Sequence, residues 1–253
     1  MKINFLNLLL IGSIVSLVML SGCSDDEADN TPPPGNTTPD ETGTFTDSRD
    51  GHVYNYVTIG NQVWMAENLA YTENDIQHIT DDSEWINNST QNGWCYYDNS
   101  DSLGAIYGVL YQWGAAAIAC PNGWHLPTVA EWDQLENFLK ENGYSCDGDS
   151  VGSKIGKSLA TDYAWKQWSS EYTIGSSDFP EYRNKSGFSA LPGGSRKGSD
   201  GSCYQMAFFG RWWSNATSDD TRAYTFSLTY LSSGVINSYV DKSYGHSVRC
   251  IRD

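Results

Sequence analysis

Residues 120–143 read Cys-Pro-Asn-Gly-Trp-His-Leu-Pro-Thr-Val-Ala-Glu-Trp-Asp-Gln-Leu-Glu-Asn-Phe-Leu-Lys-Glu-Asn-Gly, and this stretch anchors the rest of the chain. Thr128 and Glu131 have the spacing of a capping box, in which hydroxyl and carboxylate each satisfy a backbone N–H left free at a helix start. Trp132, Leu135, Phe138 and Leu139 then recur at helical spacing, and Gly143 supplies a stop. A helix with one aromatic and aliphatic face is expected there. A second candidate helix is the alanine-dominated run from Trp113 to Ala119.

The segments on either side read as strands. Val53 to Ile59 and Gln62 to Met65 are β-rich runs around Gly60-Asn61, a two-residue glycine-first turn, and predict a hairpin. Tyr107 to Tyr111 reads as strand. Downstream, Arg211 to Ser214, Tyr224 to Leu231, Val235 to Val240 and Ser247 to Ile251 follow in turn, with Ser232-Ser233-Gly234 as a turn between two of them. Residues 71–93 are polar and irregular and predict a surface excursion, where variable contacts often sit. Strands outnumbering helices give an α+β domain. The 24 glycines and Leu191-Pro192-Gly193-Gly194-Ser195 imply long ordered loops.

The chain has 253 residues with 10 Trp, 16 Tyr and 8 Phe, enough aromatic content for a packed core and too much for a disordered chain. Its 15 basic and 31 acidic side chains leave a net charge of −16, which argues against nucleic acid as a partner, since phosphate backbones need a cationic face. Between Asp50 and Leu139 lie 12 acids and no Lys or Arg, whereas 13 basic and 12 acidic residues follow from Lys140. The first half is therefore an acidic, solvated face.

The amino-terminal segment reads as an address. Met1-Lys2 precedes an apolar run from Phe5 to Met19, shorter than the roughly 20 residues of a membrane span. Leu20-Ser21-Gly22-Cys23 resembles the lipobox of bacterial lipoproteins, so residues 1–22 are expected to be a signal peptide and Cys23 the acylated residue. Residues 23–47 read as an acidic, Pro- and Thr-rich tether to a domain spanning residues 48–253. Ser24-Asp25-Asp26-Glu27 looks like an export signal to the outer face of the outer membrane. The expected location is a lipid-anchored, surface-facing one, an oxidising setting in which disulfides survive.

Six landmarks, in order, carry a family resemblance: residues 62–69 (Gln-Val-Trp-Met-Ala-Glu-Asn-Leu), 107–113 (Tyr-Gly-Val-Leu-Tyr-Gln-Trp), 120–132, 187–194 (Gly-Phe-Ser-Ala-Leu-Pro-Gly-Gly), Trp213-Ser214, and 245–250 (Gly-His-Ser-Val-Arg-Cys). They look like the Fibrobacter succinogenes major paralogous domain. The resemblance implies a C-type-lectin-like fold, shared with sulfatase-modifying enzymes, and carries no activity with it. In a fold whose ends come together, Cys120 and Cys250 are the first choice for a disulfide. Cys146 with Cys203 is the second pair, which leaves Cys95 over.

No catalytic motif stands out. The C-terminal cysteine motif of the sulfatase-modifying enzymes has no match here, and Gly201-Ser202-Cys203-Tyr204 departs from it. Asp98-Asn99-Ser100-Asp101 and Asp147-Gly148-Asp149 have calcium-binding residue types but fail the EF-hand register, so no cofactor is assigned. His52, His78, His125 and His246 lack zinc spacing. The aromatic excess remains. Trp64, Trp113, Trp124 and Trp132 read as core, while Trp85, Trp94, Trp165, Trp168 and Trp212 stand in polar contexts. Such rings either lid the loops or stack on sugar faces.

The resulting expectation is a non-catalytic binding module for a glycan or an extracellular or envelope protein. Its groove would be formed by residues 71–93, the Phe188 to Arg196 loop and the Trp212-Trp213 strand. Candidate contacts are Trp85, Trp94, Arg196, Trp212, Trp213 and Asn215. The alternatives are a structural component of the envelope and, third, a sulfatase-modifying-like enzyme.

Overall fold

A computed structural model describes residues 41–73, 76–148 and 153–253. The signal segment 1–22, Cys23, the acidic Ser24-Asp25-Asp26-Glu27 and Asp149 lie outside the described residues. No helix among those described is long and apolar enough to cross a membrane.

The strands in chain order are β1 (Glu41–Thr46), β2 (Val53–Ile59), β3 (Gln62–Met65), β4 (Gln77–His78), β5 (Gly93–Cys95), β6 (Leu110–Tyr111), β7 (Trp124–His125), β8 (Ser195–Arg196), β9 (Cys203–Tyr204), β10 (Phe209–Thr217), β11 (Arg222–Thr229), β12 (Ile236–Asp241) and β13 (Ile251–Arg252). The helices are α1 (Asp82–Asn87), α2 (Asp101–Tyr107), α3 (Trp113–Ala119), α4 (Val129–Glu141) and α5 (Gly156–Leu159). One antiparallel sheet has the order β1-β2-β3-β13-β7, so the last strand of the chain lies between strands from its first half. Three further small sheets, β10-β11-β12, β4-β5-β6 and β8-β9, complete an α+β architecture.

The hairpin and both candidate helices form as their residues dictate. Gly60 adopts φ 62°, the left-handed conformation that a tight hairpin turn requires. Thr128 Oγ1 accepts from the Glu131 N–H at 3.1 Å, and Glu131 Oε2 accepts from the Thr128 N–H at 2.7 Å, closing the capping box at the start of α4. The buried face of α4 carries Trp132, Leu135 and Leu139. Trp132 stacks on Phe226 of β11 with centroids 4.9 Å apart and packs against Trp64 of β3 at 4.8 Å, which joins the helix to two sheets. A second cluster, built on Tyr54, Met65, Trp124, Trp213 and the alanines of α3, lies around the Cys120–Cys250 disulfide.

Four local expectations need correction. Glu41 to Thr46 is not tether but an edge strand paired along its whole length with β2, from Glu41 opposite Thr58 to Thr46 opposite Val53. Its Phe45 stacks on Trp124 at 4.4 Å, and Asp47 is buried against Arg49, whose Nη2 lies 2.7 Å from Asp47 Oδ2. The acids of this segment conceal an alternation of Thr and Phe that suits a strand. Residues 71–93 are not a free excursion, because Tyr71, Ile79 and Trp85 are buried and β4 and α1 are part of the packed unit. The run from Tyr107 splits: Tyr107 ends α2, Gly108 at φ 74° turns the chain, and only Leu110-Tyr111 is strand. A Cβ on Gly108 would lie 2.9 Å from the Leu69 carbonyl oxygen, so glycine is required there on two counts. Finally, Ser247 to Ile251 is not one strand: Ser247 makes an isolated bridge to Trp212, and ladder pairing is confined to Ile251–Arg252.

His125 ties β7, α4 and the chain end together. Its Nε2 lies 2.8 Å from Glu131 Oε1 and its Nδ1 lies 2.6 Å from Asp253 Oδ1. Burial opposes the imidazolium, but the hydrogen bonds to Asp253 and Glu131 outweigh it and raise the His125 pKa. A raised histidine pKa stabilises the fold fully below the unfolded value, about 6.5, and the contribution drains away as pH rises through the folded value. Thermal melts of the wild type and His125→Gln should therefore differ most near about pH 5.5 and converge by about pH 9. A gap that widens toward alkaline pH would contradict the assignment.

Candidate functional site

The sequence-nominated contacts do not form a groove. Trp85, Trp94, Arg196, Trp212 and Trp213 are buried, and only Asn215 is exposed. Trp85 lies beneath the Arg196 guanidinium, 4.4 Å from its ring centroid, and Trp94 stacks on His78 at 4.0 Å. Trp212 donates its Nε1–H to Asn68 Oδ1 at 2.8 Å, and Trp213 donates to the Tyr111 carbonyl at 2.7 Å. The Phe188 to Arg196 loop is likewise interior, with Phe188, Ala190, Ser195 and Arg196 buried. In a domain with short helices and four small sheets, large rings fill the space that regular layers would otherwise occupy. Their polar sequence neighbours supply hydrogen-bond partners rather than exposure. Of the five tryptophans in polar contexts, Trp168 is exposed and Trp165 is buried.

A different cleft opens on the other face of β10. Side chains alternate along a strand, so Trp212 in the core beneath α4 sends Arg211 to the opposite side. Arg211, Phe209, Ser227, Ile236, Ser238 and Val240 share that face, and Tyr204, Tyr244, Tyr239, Arg222 and Asp241 complete the lining. The open cleft has a volume of about 390 Å³. Arg211 is held by the Tyr204 hydroxyl at 3.0 Å and the Ser195 hydroxyl at 3.3 Å, and its guanidinium lies 4.3 Å from the Phe209 ring centroid. Burial lowers its pKa, although it remains a cation. Among the described residues Arg211 has no carboxylate partner, whereas Arg222 is paired with Asp219 at 2.6 Å. Tyr239 leaves 48% of its surface exposed at the cleft rim, beneath the Arg222 guanidinium at 4.7 Å.

His246 supports this floor from behind. Its Nδ1 lies 3.0 Å from Ser195 Oγ, and burial, followed by the nearby Arg211 charge, pushes its pKa well down, so it is neutral. Both His246 and Ser195 are fully buried, and the pair presents no hydroxyl to a substrate. The sequence contained a usable signal for the cleft: a strand reading Phe-Gly-Arg-Trp must bury either its Phe and Arg or its Gly and Trp. Which pair lines the core is decided by the packing of α4.

The larger trough between the β2–β3 turn and α4, about 480 Å³, is lined by Asp133, Gln134, Asn137 and Glu141 along one solvated helix face. Among the described residues no three His, Cys, Asp or Glu side chains converge to hold a metal ion. Asp147 is paired with Lys154 at 2.8 Å.

The Cys120–Cys250 disulfide is present, with Cα atoms 5.9 Å apart. The second expected pair is not: Cys146 is buried in the surroundings of Lys157 and Asp178, while Cys203 packs against the cluster that holds Cys95. Sequence order concealed this contact, since the strands bearing the two residues lie in different sheets.

No curated protein and no solved structure matches the chain. The description Fibrobacter succinogenes major domain matches residues 57–252, from within the first strand of the hairpin through the capped helix and the cleft to the closing strand, and the chain belongs to that family.

Proposed function

We propose that this domain is a non-catalytic binding module, displayed at the cell surface by an acylated Cys23, and that it takes a glycan in the cleft floored by Arg211. The observation that carries this reading is a partly buried guanidinium without a carboxylate partner among the described residues, surrounded by tyrosines in an open cleft. Tyrosine rings offer apolar faces to pyranose C–H edges and hydroxyls to sugar hydroxyls. Arg211 supplies a fork of donors suited to a carboxylate, so acidic sugars fit best. The insertion of the last strand, β13, between β3 and β7, together with the long ordered loops, supports a C-type-lectin-like reading of the fold.

Glycan-array binding by the soluble domain should favour uronic or sialic acids over neutral sugars. Arg211→Ala should weaken binding at least about tenfold, the loss of one charge-assisted contact, and Tyr239→Ala should weaken it several-fold. Both variants should melt near the wild type. No glycan binding, together with specific co-purification of one envelope protein, would move the assignment to a structural role in the envelope.

A further inference from the structure

Cys203 lines a second cavity, and Cys95 is buried in the cluster against which Cys203 packs. Cys95 ends β5 and is fully buried, whereas Cys203 begins β9 and is only partly covered. The cavity, about 350 Å³, is lined by Asp82, Asp98, Asn99, Arg196, Ser202 and Cys203, and it leads to Cys203 while Cys95 lies behind. Asp98 adopts φ 50°, and in that conformation its backbone N–H donates to Cys203 Sγ at 3.2 Å. Cys203 packs against the small buried cluster that holds Cys95, and Arg196 lines the same cavity as Cys203.

Arg196 is locked in place. Its guanidinium donates to the carbonyls of Ile79 at 2.6 Å, Gly201 at 2.7 Å and Thr80 at 3.2 Å, and to Asp82 Oδ1 at 2.8 Å. It also lies over the Trp85 ring. A backbone N–H on the Cys203 sulfur and a fixed cation lining the same cavity are surroundings that favour a thiolate there.

We propose that Cys95 and Cys203 form a redox-active dithiol that exchanges with incoming disulfides, Cys203 being the entry thiol and Cys95 the resolving thiol. The Cys203 thiolate attacks one sulfur of a disulfide R–S–S–R. The Cys203–S–S–R bond forms as the R–S–S–R bond breaks, and the first R–S⁻ leaves with the proton that Cys203 gave up. Cys95 then loses its proton and attacks Cys203 Sγ, expelling the second R–S⁻, which takes that proton. Two protein thiols are oxidised to one disulfide, and the incoming disulfide is reduced to two thiols. The product links the β4-β5-β6 sheet to the β8-β9 hairpin.

The two sulfurs differ in the direction the chemistry needs. The hydrogen bond from Cys95 lowers the Cys203 pKa against the opposing effect of burial, while burial followed by the hydrogen bond to Cys203 raises that of Cys95. Cys146 provides an internal control, a buried thiol whose pKa burial raises and which has no disulfide partner among the described residues.

The test is to incubate the folded, fully reduced-at-95-and-203 domain, its Cys120–Cys250 disulfide intact, with glutathione disulfide, and to follow each cysteine by alkylation and peptide mass spectrometry. Cys203 should react at least about tenfold faster than Cys146. The wild type should pass through a Cys203–glutathione adduct to a Cys95–Cys203 linked peptide, and Cys95→Ser should stop at the adduct. The time course on the wild type serves if that variant fails to fold. Modification of Cys146 ahead of Cys203, a Cys146–Cys203 linked peptide, or a Cys203 adduct in the wild type that never resolves would each overturn the proposal. Glycan binding at Arg211 is a separate readout on a separate surface.

Discussion

Replacing both Cys120 and Cys250 with serine should cost about 5 kcal/mol of stability, the largest effect expected of any covalent change in the domain. The two residues are 130 positions apart, and closing a loop of that length removes about that much chain entropy from the unfolded state. Typical domains have only about 5–15 kcal/mol in total, so the variant should be marginal. The cost falls on the sheet that closes the fold, because Cys250 immediately precedes β13 and Ile251 pairs with both Trp64 of β3 and His125 of β7. Urea unfolding of the wild type and the double variant measures the difference directly. A loss below about 1 kcal/mol would mean that the packing of β13 is sufficient without the bond.

Trp212→Ala should destabilise the domain by about 3–5 kcal/mol, the range for emptying a buried aromatic site. Trp212 is 1% exposed and packs among Trp132, Phe188 and Phe226, and its ring N–H is one of two donors to Asn68 Oδ1. The other donor is Arg249 Nη2 at 2.9 Å, a buried guanidinium whose pKa burial lowers to about 9. Removing the indole opens a cavity and disturbs the hydrogen bonding of an interior cation together. The adjacent Arg211→Ala should leave the melt almost unchanged, since its side chain lies on the cleft face. Chemical denaturation of the two neighbours thus separates core from cleft along one strand. A Trp212→Ala domain that melts with the wild type yet loses glycan binding would restore the tryptophan face as the ligand platform.

Local rules account for much of the architecture. The Thr128 and Glu131 spacing gave the start of α4, Gly60-Asn61 gave the hairpin, and the alanine run gave α3 with the observed ends, because caps, turns and helical periodicity act over a few residues. Local reasoning failed where the signal was compositional. Acidic residues around Thr42-Gly43-Thr44-Phe45-Thr46 suggested spacer, yet pairing with β2 supplies a ladder and Trp124 supplies a surface for Phe45. Polar neighbours made Trp85, Trp94 and Trp212 look exposed, but a neighbour in sequence is not a neighbour in space.

By itself the amino-acid sequence determined the α+β class, the capped helix, the hairpin and the family, since each depends on short spacings or on landmarks in fixed order, and it made Cys120–Cys250 the first choice of disulfide. Tertiary structure alone decided that Arg211 lines a cleft and Trp212 the core, and that Cys203 meets Cys95 rather than Cys146. The reason is that burial and contact depend on which face of a strand the rest of the chain comes to cover, and α4, β8 and β9 reach those faces from distant parts of the sequence.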